Sequence, residues 1–504
     1  MNPSLPFAKI LVIGAGIMGA GIAQVAAQAG HRVYLMDTRE GAARQAHSKL
    51  RESLHALLAK GKFTQAQVDD ILMRIAPVDS LADAADAGLA IEAIVENLEA
   101  KRALFAELES TVAADCVLAS NTSSLSITAI AKGLRDPSRV VGMHFFNPVP
   151  LMKLVEVVSG LQTAPRVAQG IFELSEAWGK VPVQARSTPG FIVNRIARPF
   201  YAEALALLHE QSANPHVIDA CLRAMGFRMG PCELMDLIGH DTNFAVTQAV
   251  YAANFFDKRY MPSLVQSALV DGGMLGRKSG RGIYDYTAGS KVPTLDTQTL
   301  PLPSVSHLQL HSRAQDAQTL AEWQVRLQAE GIATDLVTTS DWTGLHVGDL
   351  QVRQTDGRPA SAWGAQVVLY DWHVPQNGAS VLAFAASCGA RADNIALAQA
   401  LLGALGFAPQ RVADQPGLVV ARTLAMLVNE AADAVQQGVC DAAGADAAMK
   451  LGVNYPAGPF EWLARWGAPA VVQVLEALDA HYRGERYRVS PWLRHALWQA
   501  QHAA

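Results

Sequence analysis

Three glycines at Gly14-x-Gly16-x-x-Gly19 follow the apolar run Lys9 to Ile13 and open a helix-forming stretch that lasts to about Ala29. In that context the first glycine permits a tight turn, the second lets backbone approach a pyrophosphate, and the third lets helix pack on strand. The N–H groups at the start of the helix are unpaired and available to an anion. Asp37 ends the next strand, His31 to Asp37, 18 residues after Gly19. A carboxylate there accepts hydrogen bonds from the adenine-ribose hydroxyls and repels a 2′-phosphate, so NAD is expected over NADP, and Arg39 nearby weakens that preference.

A second constellation begins with His144 at the end of the strand Val140 to His144. The turn Phe145-Phe-Asn147-Pro-Val-Pro150 then returns the chain so that Glu156 can lie on an adjacent strand. Removing a hydroxyl proton near neutral pH calls for imidazole, and a carboxylate on its other nitrogen fixes the tautomer and stabilises the imidazolium as it forms. A single His after an apolar strand is more often structural. The phosphate-binding turn upstream and the returning carboxylate reverse that reading.

Several elements must hold these groups. Strands are expected at Gly88 to Ile91, Cys116 to Ala119, Val140 to His144 and Leu154 to Val158, with helices between several of them. Such alternation predicts a Rossmann-type, doubly wound parallel α/β sheet over residues 1–187. From Pro189 the pattern turns helical, giving an all-α domain over residues 188–287. A Pro/Ser/Thr-containing linker from about Thr287 to Leu302 leads into a degenerate α/β segment without a phosphate loop, residues 288–410 together. Residues 411–504 read as a second copy of the all-α domain. Thr188-Pro-Gly-Phe-Ile-Val-Asn-Arg195 is echoed by Gln415-Pro-Gly-Leu-Val-Val-Ala-Arg422, and Gly230-Pro-Cys-Glu233 by Gly458-Pro-Phe-Glu461, at offsets of 227 and 228 residues. Asn194 of the first copy is replaced by Ala421 in the second.

Composition narrows the function further. The 504 residues, 50% hydrophobic and 17% charged, suffice for three or four domains of the usual size. A net charge of −5 argues against wholesale binding to nucleic acid or a membrane surface. Five scattered cysteines (Cys116, Cys221, Cys232, Cys388, Cys440) form no C-x-x-C pair, so neither a disulfide framework nor a zinc site is suggested, and a reducing cytoplasm fits best. Ile10 to Gly30 carries no charge and is long enough to span a bilayer, but its five glycines and Gln24 and Gln28 fit strand, turn and buried helix better. No metal is expected. Asp371 and His373 in the pattern DWH are only two ligands, which rarely make a site.

Six ordered blocks carry a resemblance: VIGAGIMGAGIAQVAAQAGHRVYLMD, AIVENLEAK, ASNTSSLSIT, MHFFNPVPLMKLVEVV, TPGFIVNR and GRKSGRGIYDY. Over residues 8 to about 285 the chain resembles the L-3-hydroxyacyl-CoA dehydrogenases, and its last segment resembles the extra helical copy of the long bacterial 3-hydroxybutyryl-CoA and 3-hydroxyadipyl-CoA type. Residues 303–410 match nothing so clearly. The resemblance implies His144 as general acid/base, Glu156 as its orienting partner, and Ser123 and Asn194 at the substrate oxygen. It adds Glu96, Lys101, Ser123, Asn147 and Lys278 to the glycines and Asp37 as cofactor contacts. Arg44, Lys49, Arg51, Lys60 and Lys62 crowd a region where Glu52 is the one acid, which suits a phosphate-bearing ligand or a solvated helix face. Within it, Ser53 and Lys60 match the family's CoA contacts.

The expected reaction is NAD-dependent oxidation of a (3S)-3-hydroxyacyl-CoA to the 3-oxo thioester, in fatty-acid or aromatic-acid degradation or hydroxybutyryl-CoA metabolism. A free 3-hydroxy acid as substrate and a non-catalytic NAD-binding relative are the alternatives. A fused hydratase is not expected, since no crotonase-sized domain precedes residue 8. The chain is expected either as a homodimer or as a monomer whose two helical copies form a pseudo-dimer.

Overall fold

The structure is a computed structural model that describes residues 7–288, 305–313, 317–374 and 380–503, with residues 290, 295, 300 and 301. Most of the expected linker from Thr287 to Leu302 lies outside the described residues. Two compact units divide the chain, Met1–Arg195 with Ala434–Val453, and Ile196–Asp433 with Asn454–Ala504.

The first unit is built on eight strands: β1 (Lys9–Ile13), β2 (Arg32–Met36), β3 (Ile75–Pro77), β4 (Leu89–Glu92), β5 (Val117–Ser120), β6 (Val140–Phe145), β7 (Leu154–Ser159) and β8 (Val181–Arg186). Their order is β3-β2-β1-β4-β5-β6-β7-β8, and β1 to β6 run parallel in the doubly wound arrangement. Ile10, Val12, Val33, Leu35, Ile91 and Met143 belong to one buried core, and Leu11 and Ile13 are buried too. Burial on both faces is why these strands read as continuous apolar runs. The sheet is not parallel throughout. β7 pairs antiparallel with β6, and β8 parallel with β7, because residues 146–153 are too few for the crossover a parallel neighbour requires. The uncharged stretch from Ile10 is divided into β1, the glycine turn and the helix Ile17–Gln28. Among the described residues no helix is long and apolar enough to cross a membrane. The helix Ala442–Gly452 packs on β7 and β8.

In the second unit, β9 (His307–His311), β10 (Ala333–Val337), β11 (Gly344–Val347), β12 (Leu350–Gln354), β13 (Val367–Tyr370), β14 (Ser380–Ala386) and β15 (Phe407–Arg411) form a mixed sheet in the order β10-β9-β11-β12-β13-β14-β15. The helix Pro215–Ala224 packs on β14. The duplication reaches further back than the two turns legible in sequence. β6, β7 and β8 recur as β13, β14 and β15, whose first residues fall at the same 227-residue shift to within one residue, and with the same antiparallel-then-parallel pairing.

Candidate active site

Antiparallel register sets His144 of β6 directly opposite Glu156 of β7. His144 Nδ1 lies 2.6 Å from Glu156 Oε2, with both side chains buried. Phe146 and Phe191 pack their rings against the imidazole, at centroid distances of 4.5 and 6.0 Å. The other carboxylate oxygen, Oε1, accepts the N–H groups of Ile192 and Val193 at 3.1 and 3.0 Å. These donors belong to the turn Thr188–Arg195, where Gly190 takes a φ of +78° that an L side chain rarely adopts. Asn194, half-buried, follows at once in the short helix Val193–Ile196.

The second sheet holds no such pair. The 227-residue shift sets Asp371 at the place of His144 and Ala383 at that of Glu156, and Asp371 N–H donates to Ala383 O at 3.0 Å. The Asp371 carboxylate accepts the N–H groups of Val419, Val420 and Ala421, so it holds the duplicate turn as Glu156 holds the first. Gly417 there has φ +74°.

The glycine turn is shaped to admit a dinucleotide. A Cβ on Gly14 would lie 2.4 Å from Ala93 O, and one on Gly19 would lie 1.7 Å from Gly14 O, whereas the space above Gly16 is open. Gly14, Gly16 and Asp37 line a cavity of about 640 Å³ walled by Ala93, Ile94 and Val95. Asp37 Oδ2 accepts the Ala15 N–H at 2.8 Å. The Arg39 guanidinium beside Asp37 holds its carboxyl down to about 2, so Arg39 is engaged by the very acid whose preference it was expected to weaken.

Glu96 gathers the loop after β5. Its Oε1 accepts the Thr122 hydroxyl at 2.6 Å, the Ser123 and Ser124 N–H groups at 3.0 and 3.1 Å, and the Ser124 hydroxyl at 3.0 Å. Burial pushes the Glu96 carboxyl up, but the Thr122 hydroxyl and the Lys101 ammonium outweigh it and hold it below the usual range. Lys101 is buried, donating to Glu92 Oε1 at 2.5 Å and lying 3.3 Å from Glu96 Oε2. Glu92 was not singled out from sequence, although an acid within the apolar run LAIEAIV is itself a signal. It also takes the Ser120 hydroxyl at 2.6 Å and so ties β4 to β5.

The remaining expected residues belong to other segments of the chain. Asn147 is exposed on the turn after β6, and its bond to Pro148 is cis. Lys278 belongs to the second unit, where its Nζ pairs with Asp241 at 2.5 Å. Ser53 lies on the helix Ala42–Ala59 and, with Lys49, lines a cavity of about 410 Å³ beside Gly16. Lys60, at the end of that helix, is exposed and does not line it.

Comparison with known proteins fits this arrangement. The family model described as 3-hydroxyacyl-CoA dehydrogenase, NAD binding domain, matches residues 9–188. The corresponding C-terminal domain matches twice, at residues 190–286 and 417–502. The chain belongs to the 3-hydroxyacyl-CoA dehydrogenase family. The segment left without a counterpart in sequence is similar, over residues 352–416, to the reduced Rossmann-fold domain of 3-hydroxybutyryl-CoA dehydrogenase. Within the family, the chain is 42% identical to the 3-hydroxyadipyl-CoA dehydrogenase of Escherichia coli K12 over 96% of both chains. It is also 42% identical to a probable 3-hydroxybutyryl-CoA dehydrogenase of Bacillus subtilis, covering 55% of this chain and 97% of that one. The crystal structure of a 3-hydroxybutyryl-CoA dehydrogenase from E. coli K12 superposes with a TM-score of 0.88 at 41% identity, covering 98% of this chain and 99% of that one. These family members have the same reaction centre in their names and differ in the acyl tail.

Proposed function

We propose that the protein oxidises the 3-hydroxyl of a (3S)-3-hydroxyacyl-CoA with NAD, and that the buried His144–Glu156 pair at 2.6 Å carries the reaction. With Nδ1 engaged by Glu156, the imidazole keeps Nε2 for the substrate and takes the hydroxyl proton there. Glu156, fixed by the Ile192 and Val193 N–H groups, stabilises the imidazolium that results. NAD held at the glycine turn would supply the acceptor for the hydride of carbon 3. The glycine turn and Asp37 hold the dinucleotide in this reading, with Glu96, Lys101, Asn147 and Lys278 as further contacts. Ser123 and Asn194 orient the substrate oxygen, and Ser53 and Lys60 meet the CoA. In reduction His144 returns the proton. Purified protein with NADH and acetoacetyl-CoA tests this by nicotinamide absorbance. Turnover of the thioester, little of free acetoacetate, and a loss of about 10²–10⁴ in kcat for His144→Ala are expected. NADH binding without turnover of any acyl-CoA overturns it, and a series of thioesters with and without a terminal carboxylate assigns the tail.

We further infer a cytoplasmic monomer in which the two helical copies replace a dimer contact. The support is a reciprocal exchange within the second unit. Glu203 of the first copy accepts Arg486 at 2.9 Å and the Tyr487 hydroxyl at 3.1 Å from the second. Glu430 of the second accepts Tyr260 at 2.5 Å and Arg259 at 3.4 Å from the first. Each of these pairs is related by the 227-residue shift, and residue-for-residue exchange is the mark of a two-fold interface. Sedimentation at the mass of one chain is expected, and a tight dimer would overturn the reading.

A further inference from the structure

The second sheet lacks a glycine turn, yet it keeps a cavity where doubly wound sheets bind ligands, outside the carboxyl ends of parallel strands. This cavity, about 390 Å³, opens beyond the ends of β9, β12 and β13 and is closed by the helix Pro459–Tyr482. Gly467 breaks that helix with a φ of 79°, and it repeats, 228 residues on, the break at Gly239 that separates the helices Pro231–Ile238 and His240–Ala253 in the first copy. The duplicate has therefore retained the architecture of a cleft while losing the dyad and the phosphate turn.

The chemistry of the lining is specific. Arg313, just past β9, and Arg465, on the closing helix, line the cavity and have no carboxylate partner among the described residues. Asp356, two residues past β12, is paired with Arg358, which donates at 2.6 Å. Glu322 is thus the one lining acid without a cationic partner among the described residues. His373, beyond β13, presents a buried Nδ1 with no hydrogen-bond partner there. Aromatic surface completes the wall, with Trp372 and Trp466 stacked at 4.8 Å and 10°. Two arginines want an anion, flat aromatic walls want a planar ring, and Glu322 suits a ribose hydroxyl. A volume near the low end of ligand pockets, roughly 300–1,000 Å³, fits one nucleotide and not two.

We propose that this cavity is a second ligand site, separate from the NAD turn, and that it takes a nucleoside monophosphate, with the phosphate on Arg313 and Arg465 and the base against the tryptophan wall. Calorimetric titration of AMP into the full-length protein saturated with NAD tests it, the NAD blocking the first unit's adenosine site. A saturable one-site isotherm is expected, weakened at least tenfold in Arg313→Ala/Arg465→Ala and at least tenfold weaker for ribose 5-phosphate, which lacks the base. The double variant should reduce acetoacetyl-CoA at the native rate, which separates this site from the dehydrogenase reading. Absence of an isotherm, an unchanged affinity in the double variant, or equal binding of ribose 5-phosphate would each overturn the proposal.

Discussion

Glu156 and Asp371 hold two copies of one turn from two different strands. Glu156 reaches the Ile192 and Val193 N–H groups from β7, whereas Asp371 reaches those of Val419, Val420 and Ala421 from just past β13, at the position His144 has in the first copy. One carboxylate per turn is required in either case, since buried N–H groups need acceptors. Only the first arrangement leaves the facing position open for an imidazole.

Glu156 should therefore show two separable losses. Glu156→Gln keeps an oxygen for Ile192 and Val193 and is expected to fold with near-native stability while kcat falls, because an amide cannot stabilise the imidazolium. Glu156→Ala should lose activity and also unfold earlier, by about 1–3 kcal/mol for each stranded N–H. Steady-state kinetics beside urea midpoints separate the two, and equal stability of the variants would refute the shared role.

Cofactor choice should rest on Asp37. With its carboxyl held down to about 2 by Arg39, the acid is ionised throughout the working range. Asp37→Ser removes the charge that repels a 2′-phosphate and frees Arg39 to meet it. KM for NADH should rise roughly tenfold, the size of about 1.4 kcal/mol of lost hydrogen bonding, while KM for NADPH falls. Parallel titrations with the two nucleotides check this.

The helical exchange should be costly to break. Glu203 is fully buried between Arg422 and Arg486, and Glu203→Ala strands the Arg486 guanidinium and leaves Arg422 only the longer contact with Glu210 at 3.3 Å as a carboxylate partner. A loss of about 3–5 kcal/mol in unfolding free energy is expected. A denaturant midpoint within error of the native protein would show that the network contributes nothing.

His373 should impose a pH dependence on stability. Burial, with Arg465 nearby, holds its imidazole down to about 4, against an ordinary 6.5. The unfolded chain gains its proton near pH 6.5 and the folded protein only near 4, so stability present above pH 6.5 is lost as pH falls toward 4. Asp371, pushed up to about 6 by burial despite its N–H bonds, acts in the opposite sense but equally in both proteins compared. From pH 7 to pH 5 the native protein should lose on the order of 1–2 kcal/mol relative to His373→Phe, whose ring fits beside Trp323 and Phe407. Denaturation midpoints at the two pH values decide it.

The glycine turn, Asp37 and the His144–Glu156 pair were legible because each rests on spacing along one short stretch. The strand β3 is three residues long and β8 carries Pro182, so neither offers a clear strand pattern. The reversal at β7 came from chain length between strands rather than from the apolar run itself. Glu92 was visible as a misplaced acid, but its partner Lys101 lies on another element, and only folding joins them. The part Asp371 plays in holding the second turn was hidden for a different reason. The duplication is betrayed by its turns, and at the dyad itself the residues that would have revealed the match had been replaced.

The exchange of Glu203 and Glu430 with Arg486 and Arg259 lies on one chain, so its formation carries no concentration term and survives dilution that would dissociate a dimer. It also lifts a constraint. A symmetric assembly must accept every substitution twice, once on each side of its axis, whereas a fused pair accepts it once. Ala383, Asp371 and Ala421 are changes that a two-fold assembly would have imposed on the working site as well.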